Sequence, residues 1–570
     1  MHSPEYEVFQ SLHGGPAGSA LASKLARTAS KPRILLLEAG PKKDSKSLRV
    51  SGKRWVTFQE PDMNWMSKTT PQAGCNGREI NYSRGKALGG GSAINFGCYT
   101  VGARDDYDEW AEIVGDDFFS WERMQERFKE LESFDGEIAE RYKAFANPRP
   151  EDHGREGALK LGFAKEWEED TASIFEAFRQ AGLPFNPDHN SGDPIGVSLS
   201  INSAYRGVRT TAADLLVDHP ENLEILTEKD VTRVIIRNNK AVGVEVDGEI
   251  YHAKEIILSA GSLGTPRILM HSGIGPADQL SAFNIPLHAN IPAIGQNLRD
   301  HPFVPLCLMR NPKTNTRNAF YSSPTAQETA MEEWLIDGSG PWSQHGSQLI
   351  MGWMKSEAVQ NSQEYRELPQ ATKDFLSRPT IPHYELISGL PIHMLNPDLT
   401  SDYSYICLVA FLLNQQSRGE VRLQSSDPTV PLLFNPNFLT HEYDQRVCIE
   451  SYRELWNLAS HPSFAKDTVS TLLAPASTSD EDILAFWKNV AASAWHMTGT
   501  AKMGRPGEDA AVDSRFRVFG IQGLRVADLS VVPVLTNNHT QATAYVVGVS
   551  CADVLIAEYG LAVPMSTSTL

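Results

Sequence analysis

The chain has 570 residues, of which 41% are hydrophobic and 21% are charged, and its formal net charge is −18. This length and composition indicate a soluble globular protein of two closely packed domains. The acidic balance argues against nucleic acid or an anionic membrane surface as a partner.

Cysteine usage and targeting signals bear on the compartment. The six cysteines are scattered without a CxxC pair, so neither a zinc site nor a disulfide framework is indicated, and we predict no metal ligands. No stretch reaches the roughly 18 apolar residues that a membrane span needs. The first residues lack the basic start and apolar run of a secretory signal. We therefore expect a reduced, cytoplasmic compartment and no membrane span.

In chain order, the first segment has a β-α-β pattern. A glycine-rich turn over residues 14–18 precedes a helix of small residues, and the apolar run Ile34–Leu37 ends at Glu38. Such a turn lets the backbone approach a pyrophosphate, whose charge the helix N-terminus stabilises. Glu38 lies 20 positions after Gly18, close to the spacing at which an acidic residue holds an adenosine ribose. By itself this pattern also fits an ordinary tight turn.

One residue departs from the dinucleotide pattern. The first glycine of GxGxxG would fall at position 13, where the chain has His13, and the run 8–12 is less apolar than a buried central strand should be. A side chain at position 13 would crowd the turn. Two interpretations stay open. Either the site tolerates His13 with weaker cofactor binding, or the N-terminal sequence differs from that of the working protein, for example through a misplaced coding boundary. The abrupt end of the mismatch at Gly14 favours the second.

The rest of the chain alternates helical and strand patterns. Residues 306–415 are mixed, and their pattern decides little. The patterns predict helices over 121–134, 480–490 and 543–556, strands within 223–246 with a hairpin turn at 237–240, further strands at 256–261, 421–434 and 524–526, and a loop over 136–160.

Three longer motifs carry a family resemblance. Residues 85–99 read GKALGGGSAINFGCY, residues 261–275 read GSLGTPRILMHSGIG, and residues 295–301 read GQNLRDH. In this order they resemble the signatures of the glucose–methanol–choline oxidoreductases, and the resemblance runs from about Gly14 to Ile556. It implies an α/β fold, in which a Rossmann-like FAD-binding domain is joined to an α+β substrate domain with an antiparallel sheet and helices.

The resemblance also implies domain boundaries and FAD contacts. Residues 1–305 are expected to form the FAD-binding region with substrate-domain insertions, and 306–557 the substrate-binding region, of which about 515–557 return to the FAD domain. Covalent attachment in some relatives uses a histidine of the first signature, where this chain has Ala93-Ile94-Asn95, so non-covalent FAD is expected. The implied FAD-binding positions are Gly15, Gly18 and Glu38 for the ADP part, Lys86, Gly90, Asn95 and Gly97 along the flavin, Val231 at the adenine, and Asp528 beside the phosphate and ribityl chain.

Two histidines match the catalytic positions of the family. Oxidation of an alcohol requires a proton to leave the hydroxyl while a hydride leaves the carbon for flavin N5, and histidine suits the first task because its pKa lies near working pH. By resemblance, His496 is the base, and His539 orients the alcohol oxygen, although the two could share these roles. His301 is interpreted as a structural hydrogen-bonding residue. Trp495 is either an aromatic neighbour of the flavin or a core residue.

The sequence thus predicts an FAD-dependent oxidoreductase that oxidises a small primary or secondary alcohol, such as an aryl alcohol or a natural-product intermediate. The electron acceptor, oxygen or another, is left open. Two alternatives remain: a lyase or cyclase of the same family in which the flavin does no redox chemistry, and a flavin-free binding protein, to which His13 gives some weight.

Overall fold

The computed structural model describes residues 6–138, 140–344, 348–390, 392, 399 and 402–562. The strands are β1 Tyr6–Leu12, β2 Ile34–Leu37, β3 Glu132–Asp135, β4 Leu159–Gly162, β5 Gly196–Leu199, β6 Ala204–Tyr205, β7 Val208–Arg209, β8 Leu223–Leu226, β9 Val231–Arg237, β10 Lys240–Val246, β11 Glu249–Leu258, β12 Ile274–Gly275, β13 Ala289–Asn290, β14 Pro302–Arg310, β15 Ile350–Met354, β16 Tyr384–Leu390, β17 Ser404–Leu412, β18 Glu420–Arg422, β19 Leu433–Asn435, β20 Thr468–Leu473, β21 Ala492–Ser493 and β22 Leu524–Val526. The helices are α1 Pro16–Ala26, α2 Arg54–Phe58, α3 Gly91–Ile94, α4 Arg104–Val114, α5 Trp121–Leu131, α6 Thr171–Gln180, α7 Gly261–His271, α8 Ala277–Ala282, α9 Arg317–Tyr321, α10 Pro324–Asp337, α11 Pro341–Gln344, α12 Glu357–Gln360, α13 Gln363–Arg366, α14 Gln370–Ser377, α15 Glu442–Ser460, α16 Pro462–Ala465, α17 Asp480–Val490 and α18 Gln541–Tyr559.

The first sheet is built on parallel strands in the order β8-β2-β1-β11-β22. The apolar run of β2 is fully buried, as expected for a parallel strand covered on both faces. β11 is long enough to serve two partners, because its last residues pair with β1 and β22 and its first residues pair antiparallel with β10, which in turn pairs with β9. One strand thus joins the parallel sheet to an antiparallel meander.

The C-terminal part of the chain returns to this first sheet. β22 adds to β11, and α18 packs along α1. The helices come close because Gly548 has no side chain: a Cβ there would lie 2.1 Å from the Ala17 carbonyl oxygen. α18 is long and apolar enough to pass for a membrane span by composition, but 72% of its most apolar window is buried inside the protein. Its apolar character is therefore accounted for by packing in the core.

The second sheet is antiparallel, in the order β15-β16-β17-β14-β20, with β21 added to β14. Its central strand β17 reads SYICLVAFL and is buried along its whole length. α15 packs on this sheet. Alternate residues of a strand point to the same face, and one such set, formed by Phe303, Pro305, Leu349, Ile387, Cys407, Val409 and Phe411, faces a cavity.

The α/β fold class is confirmed, and several elements lie where the sequence predicts them. α17 and β22 have the predicted bounds. The predicted hairpin joins β9 to β10 through Asn238 and Asn239, with φ of +50° and +58°, the left-handed conformation that asparagine tolerates best after glycine. The last helix is longer than predicted at both ends.

Other predicted elements differ from the structure. The helix predicted over 121–134 ends at Leu131, because Glu132 is extended and β3 pairs in parallel with β4. β4 begins inside the stretch predicted as a loop. Its pairing with β3 overrides the helical pattern of residues 132–134. The predicted strand at 256–261 is the end of the longer β11, and Gly261 begins α7. β18 and β19 pair antiparallel at the two ends of the stretch predicted as strands, and residues 423–432 connect them.

Candidate functional site

A cavity of about 500 Å³ lies between the first sheet and the second. Its wall combines the turn before α1, the glycine loop around α3, one face of the second sheet, and the segments that follow β21 and β22. One continuous space therefore connects the glycine turn to the two histidines. The predicted site residues in this wall are Gly15, Glu38, Gly90, Asn95, Gly97, His496, Asp528 and His539.

His13 lies in the same wall and carries backbone strain. Its φ is +83°, a region that L-residues other than glycine avoid because Cβ approaches the following backbone. Its N–H donates to the Leu37 carbonyl over 2.5 Å, which ties the turn to β2. The positive φ explains why a glycine is expected at this position. Here the chain makes that turn with a histidine.

The two glycine loops touch at the entrance to α1. Gly90 has a φ of +51°, and a Cβ on it would lie 2.6 Å from Gly15 Cα. Gly15 is the N-cap of α1 and has no side chain that could cap it, so the N–H groups of the first turn face no capping side chain and stay available to an anion. This close approach of bare backbone at a helix N-terminus suits the pyrophosphate of a dinucleotide.

Glu38 stands at the end of β2, as predicted, and braces the glycine turn. One carboxylate oxygen accepts from Gly14 N–H and the other from Gly40 N–H, each over 2.8 Å. Burial raises the pKa of Glu38 to about 7, although these two backbone bonds oppose the shift. Each oxygen has a second lone pair, so the carboxylate can still accept from a ribose hydroxyl in the cavity.

Two buried arginines hold the loop predicted to lie along the flavin. The Arg54 guanidinium packs so closely on Gly97, whose φ is +79°, that a Cβ there would lie 0.6 Å from Arg54 Nη1. Arg209 donates to the carbonyl of Asn95 over 2.5 Å and to its side-chain oxygen over 3.1 Å. Burial lowers the pKa of Arg54 to about 10 and that of Arg209 well below its usual range. Glycine is required at position 97 because any side chain there would displace the buried guanidinium of Arg54.

Asp528 follows β22 and fixes the start of α7. Its oxygens accept from Gly261 N–H (2.9 Å), the Thr265 hydroxyl (2.5 Å) and Ser530 N–H (2.7 Å). Burial raises the pKa of this carboxyl. Asp528 therefore lies in the cavity wall and also anchors two of the segments that form it.

Three predicted cofactor residues lie outside this wall. Gly18 is buried within α1. Lys86 points to Trp65, with Nζ 4.6 Å from the ring centroid. Val231 begins β9, and its carbonyl accepts from Arg267, which does line the cavity. Their assignment to FAD stays a prediction.

His496 is held from both its backbone and its ring. Its N–H donates to Asp300 Oδ1 over 2.7 Å, and its Nδ1 lies 3.0 Å from Nδ1 of His301. Burial, with nearby His539, His301 and Arg84, keeps the pKa of His496 well below its usual range. The imidazole is therefore neutral, and Nε2 is the ring nitrogen left for a ligand in the cavity.

His539 lies beside His496 in the cavity wall. The ring centroids are 4.9 Å apart and the planes meet at 81°. Thr100 Oγ1 accepts from His539 N–H over 2.7 Å, and His539 Nε2 lies 3.1 Å from Glu385 Oε1. Glu385 is itself buried, so its carboxylate orients the ring and leaves Nδ1 as the nitrogen available to a ligand.

Aromatic rings close the space around the histidine pair. Trp495 lies 4.6 Å from Phe58 and 5.9 Å from Phe96 between ring centroids. On the second sheet, Phe303 and Phe411 are 5.1 Å apart, and Phe411 is 5.8 Å from His539. Trp495 thus belongs to the cavity wall, and the surroundings of the two imidazoles are largely apolar.

Several residues of the site escaped the sequence analysis. Glu385 lies in the stretch 306–415, which has no informative pattern, and it reaches His539 only because β16 runs beside β17 in the folded sheet. Asp300 lies inside the motif GQNLRDH, beside His301, so the motif itself could have identified it. Arg54 and Arg209 gave no local signal.

Comparison with known proteins identifies the family. The two GMC oxidoreductase family models match residues 13–303 and 415–548. Relatives include an alcohol dehydrogenase [acceptor] of Pseudomonas putida, 29% identical over 96% of this chain and 95% of its own, and pyranose dehydrogenase 3 of Leucoagaricus meleagris, 31% identical over 96% and 92%. A formate oxidase variant of Aspergillus oryzae studied for FAD modification superposes with a TM-score of 0.89, at 25% identity over 98% of this chain and 99% of its own.

These matches agree with the site. The contacting glycine backbones and the buried carboxylate of Glu38, in the wall of the same cavity as the two histidines, fit FAD, and the flavin-free alternative loses its support. The chain belongs to the glucose–methanol–choline oxidoreductase family, as an FAD-dependent enzyme that acts on CH–OH donors.

Proposed function

We propose that the enzyme oxidises a primary or secondary alcohol carried on an apolar or aromatic scaffold, with His496 as the base and His539 as the group that orients the alcohol oxygen. The observation that carries this proposal is the pair of facing imidazoles, 4.9 Å apart, in a wall otherwise rich in aromatic rings. FAD, when bound, supplies the hydride acceptor at N5. Non-covalent binding is part of the proposal, because Ala93-Ile94-Asn95 offers no histidine for attachment.

His496 takes the proton. A general base needs a free lone pair at the substrate, and burial keeps this imidazole neutral by lowering its pKa. With Nδ1 directed to His301, the proton of the alcohol moves to Nε2 as the hydride leaves the carbon. General-base catalysis of this kind contributes about 10²–10⁴-fold.

His539 positions the oxygen. Its ring is fixed by Glu385 and its backbone by Thr100, so Nδ1 presents a hydrogen-bonding group in one place. A fixed polar group stabilises charge that develops on the alcohol oxygen without reorganising during the reaction.

The apolar wall supports the proposed substrate class. A sugar would bury several hydroxyl groups against Phe303, Phe411 and Trp495, and each hydroxyl without a partner costs about 1–3 kcal/mol. An aryl or alkyl alcohol buries one hydroxyl, which the two histidines satisfy. The same wall excludes water from the reacting carbon.

Anaerobic mixing with paired alcohols tests the proposal. Benzyl and cinnamyl alcohol should bleach the visible absorbance of the bound flavin, whereas glucose and glycerol should not, and the product should be two hydrogens lighter than the substrate. His496→Ala should retain FAD and lose substrate-driven bleaching. Bleaching by sugars alone would refute the substrate class, normal bleaching in His496→Ala would refute the base assignment, and an isomeric or fragmented product would favour the lyase or cyclase alternative.

A further inference from the structure

Two buried imidazoles meet behind the reacting face of His496. Nδ1 of His301 lies 3.0 Å from Nδ1 of His496, and the ring planes meet at 89°. Two nitrogens at this distance share one proton, since two N–H groups would repel and two lone pairs would not bond. We infer that His301 is a positioning residue that accepts from His496 Nδ1–H, and thereby fixes His496 in the tautomer whose Nε2 lone pair takes the alcohol proton. This inference rests on the proposed function.

The backbone keeps the two rings together. The segment before β14 runs antiparallel to the segment after β21: Arg299 and Thr498 exchange backbone hydrogen bonds on one side of the pair, and Ala494 N–H donates to the His301 carbonyl over 2.8 Å on the other. Strand-like pairing on both sides therefore holds together the two backbone segments that carry the imidazoles.

The environment of His301 is unusual for a structural histidine. Buried imidazoles normally satisfy both nitrogens, yet among the described residues the His301 ring bonds only to His496, and its Nε2 has no partner. Burial, with nearby His539, lowers the pKa of His301 to about 3. Both rings are thus neutral, and the bond between them can have either of two directions.

The direction decides what His496 can do. If His301 donated, His496 would carry its proton on Nε2 and could not receive one from the alcohol. If His496 donates, Nε2 is a lone pair, and the His301 lone pair stabilises the Nδ1–H as His496 becomes an imidazolium. Only the second arrangement is compatible with His496 as the base.

Nitrogen-15 NMR of the oxidised holoenzyme with labelled histidine reads the tautomer directly. The His496 signals are assigned by their loss in His496→Asn. We expect a protonated Nδ1 and an unprotonated Nε2 in the wild type, loss of this preference in His301→Leu, and its recovery in His301→Asn, whose amide oxygen can accept the same bond. A proton on Nε2 in the wild type, or an unchanged tautomer in His301→Leu, would overturn the inference.

Kinetics provide the second measurement. His301→Leu should slow flavin reduction by about 10²-fold with little change in the apparent dissociation constant of the alcohol, and His301→Asn should restore part of the rate. The matched control is His383→Leu, because His383 is equally buried, its pKa is lowered by burial to about 3, and it lies outside the cavity wall. An equal loss in both leucine variants would show a merely structural role. If no alcohol reduces the wild-type flavin, the proposed function fails, while the NMR result still decides the tautomer.

Discussion

Replacing His13 by glycine tests how the strained turn limits cofactor binding. At a φ of +83°, a residue with a Cβ costs about 1–2 kcal/mol relative to glycine. About 0.5–1 kcal/mol of this gain is offset, because an unfolded chain with glycine at this position has more conformational freedom to lose on folding. The expected net effect of His13→Gly is a folded state more stable by about 0.5–1 kcal/mol, together with slower FAD release, because the imidazole leaves the cavity wall.

Two further variants separate strain from crowding. His13→Ala removes the imidazole but keeps a Cβ at the same φ, so it should slow FAD release without raising stability. Lys31→Gly is the matched control, because Lys31 is exposed, has a φ of +45° and lies outside the cavity wall. It should relieve strain without changing FAD release.

The assay is a urea titration of each holoenzyme, with tryptophan fluorescence reporting unfolding and free-flavin fluorescence reporting FAD release. Equal stability of His13→Gly and His13→Ala would refute the strain argument. FAD release at the wild-type rate in both variants would show that the turn accommodates the imidazole without cost to the cofactor.

Two other predictions concern carboxylate–histidine contacts. Glu385→Gln replaces the carboxylate that contacts His539 by a neutral amide, which weakens this hydrogen bond by about 1 kcal/mol. The variant should reduce its flavin about fivefold more slowly while FAD stays bound. An unchanged rate would exclude Glu385 from the reaction. Burial opposes charge on His153, but hydrogen bonds to Asp188 and Glu132 outweigh it and raise the pKa of His153 to about 9. The raised pKa contributes roughly 3 kcal/mol to the free energy of unfolding. This contribution is complete below pH 6.5 and disappears as pH rises through about 9. The free energy of unfolding of the wild type should therefore fall over this interval, and that of His153→Gln should not.

The local pattern of the chain was sufficient to locate many parts of this protein. The apolar run of β2, the paired asparagines after β9 and the amphipathic pattern of α17 depend on neighbours in sequence, because periodicity and turn chemistry are local properties. The glycine motifs could be recognised for the same reason, since glycine is required where backbone meets backbone or a buried side chain, as at Gly90 and Gly97. Even the departure from GxGxxG at His13 was visible in the sequence. The positive φ of His13 explains why a glycine is expected there.

Long-range contacts decided the rest. The helical pattern after Trp121 stops early because β3 finds β4 as a partner. Glu385 comes from a stretch without any informative pattern and reaches His539 only through the pairing of β16 with β17. No local rule relates residues 154 positions apart, because their contact exists only after the second sheet has formed. The sequence by itself predicted the two imidazoles of the site, and the tertiary structure decided which carboxylate and which third histidine contact them.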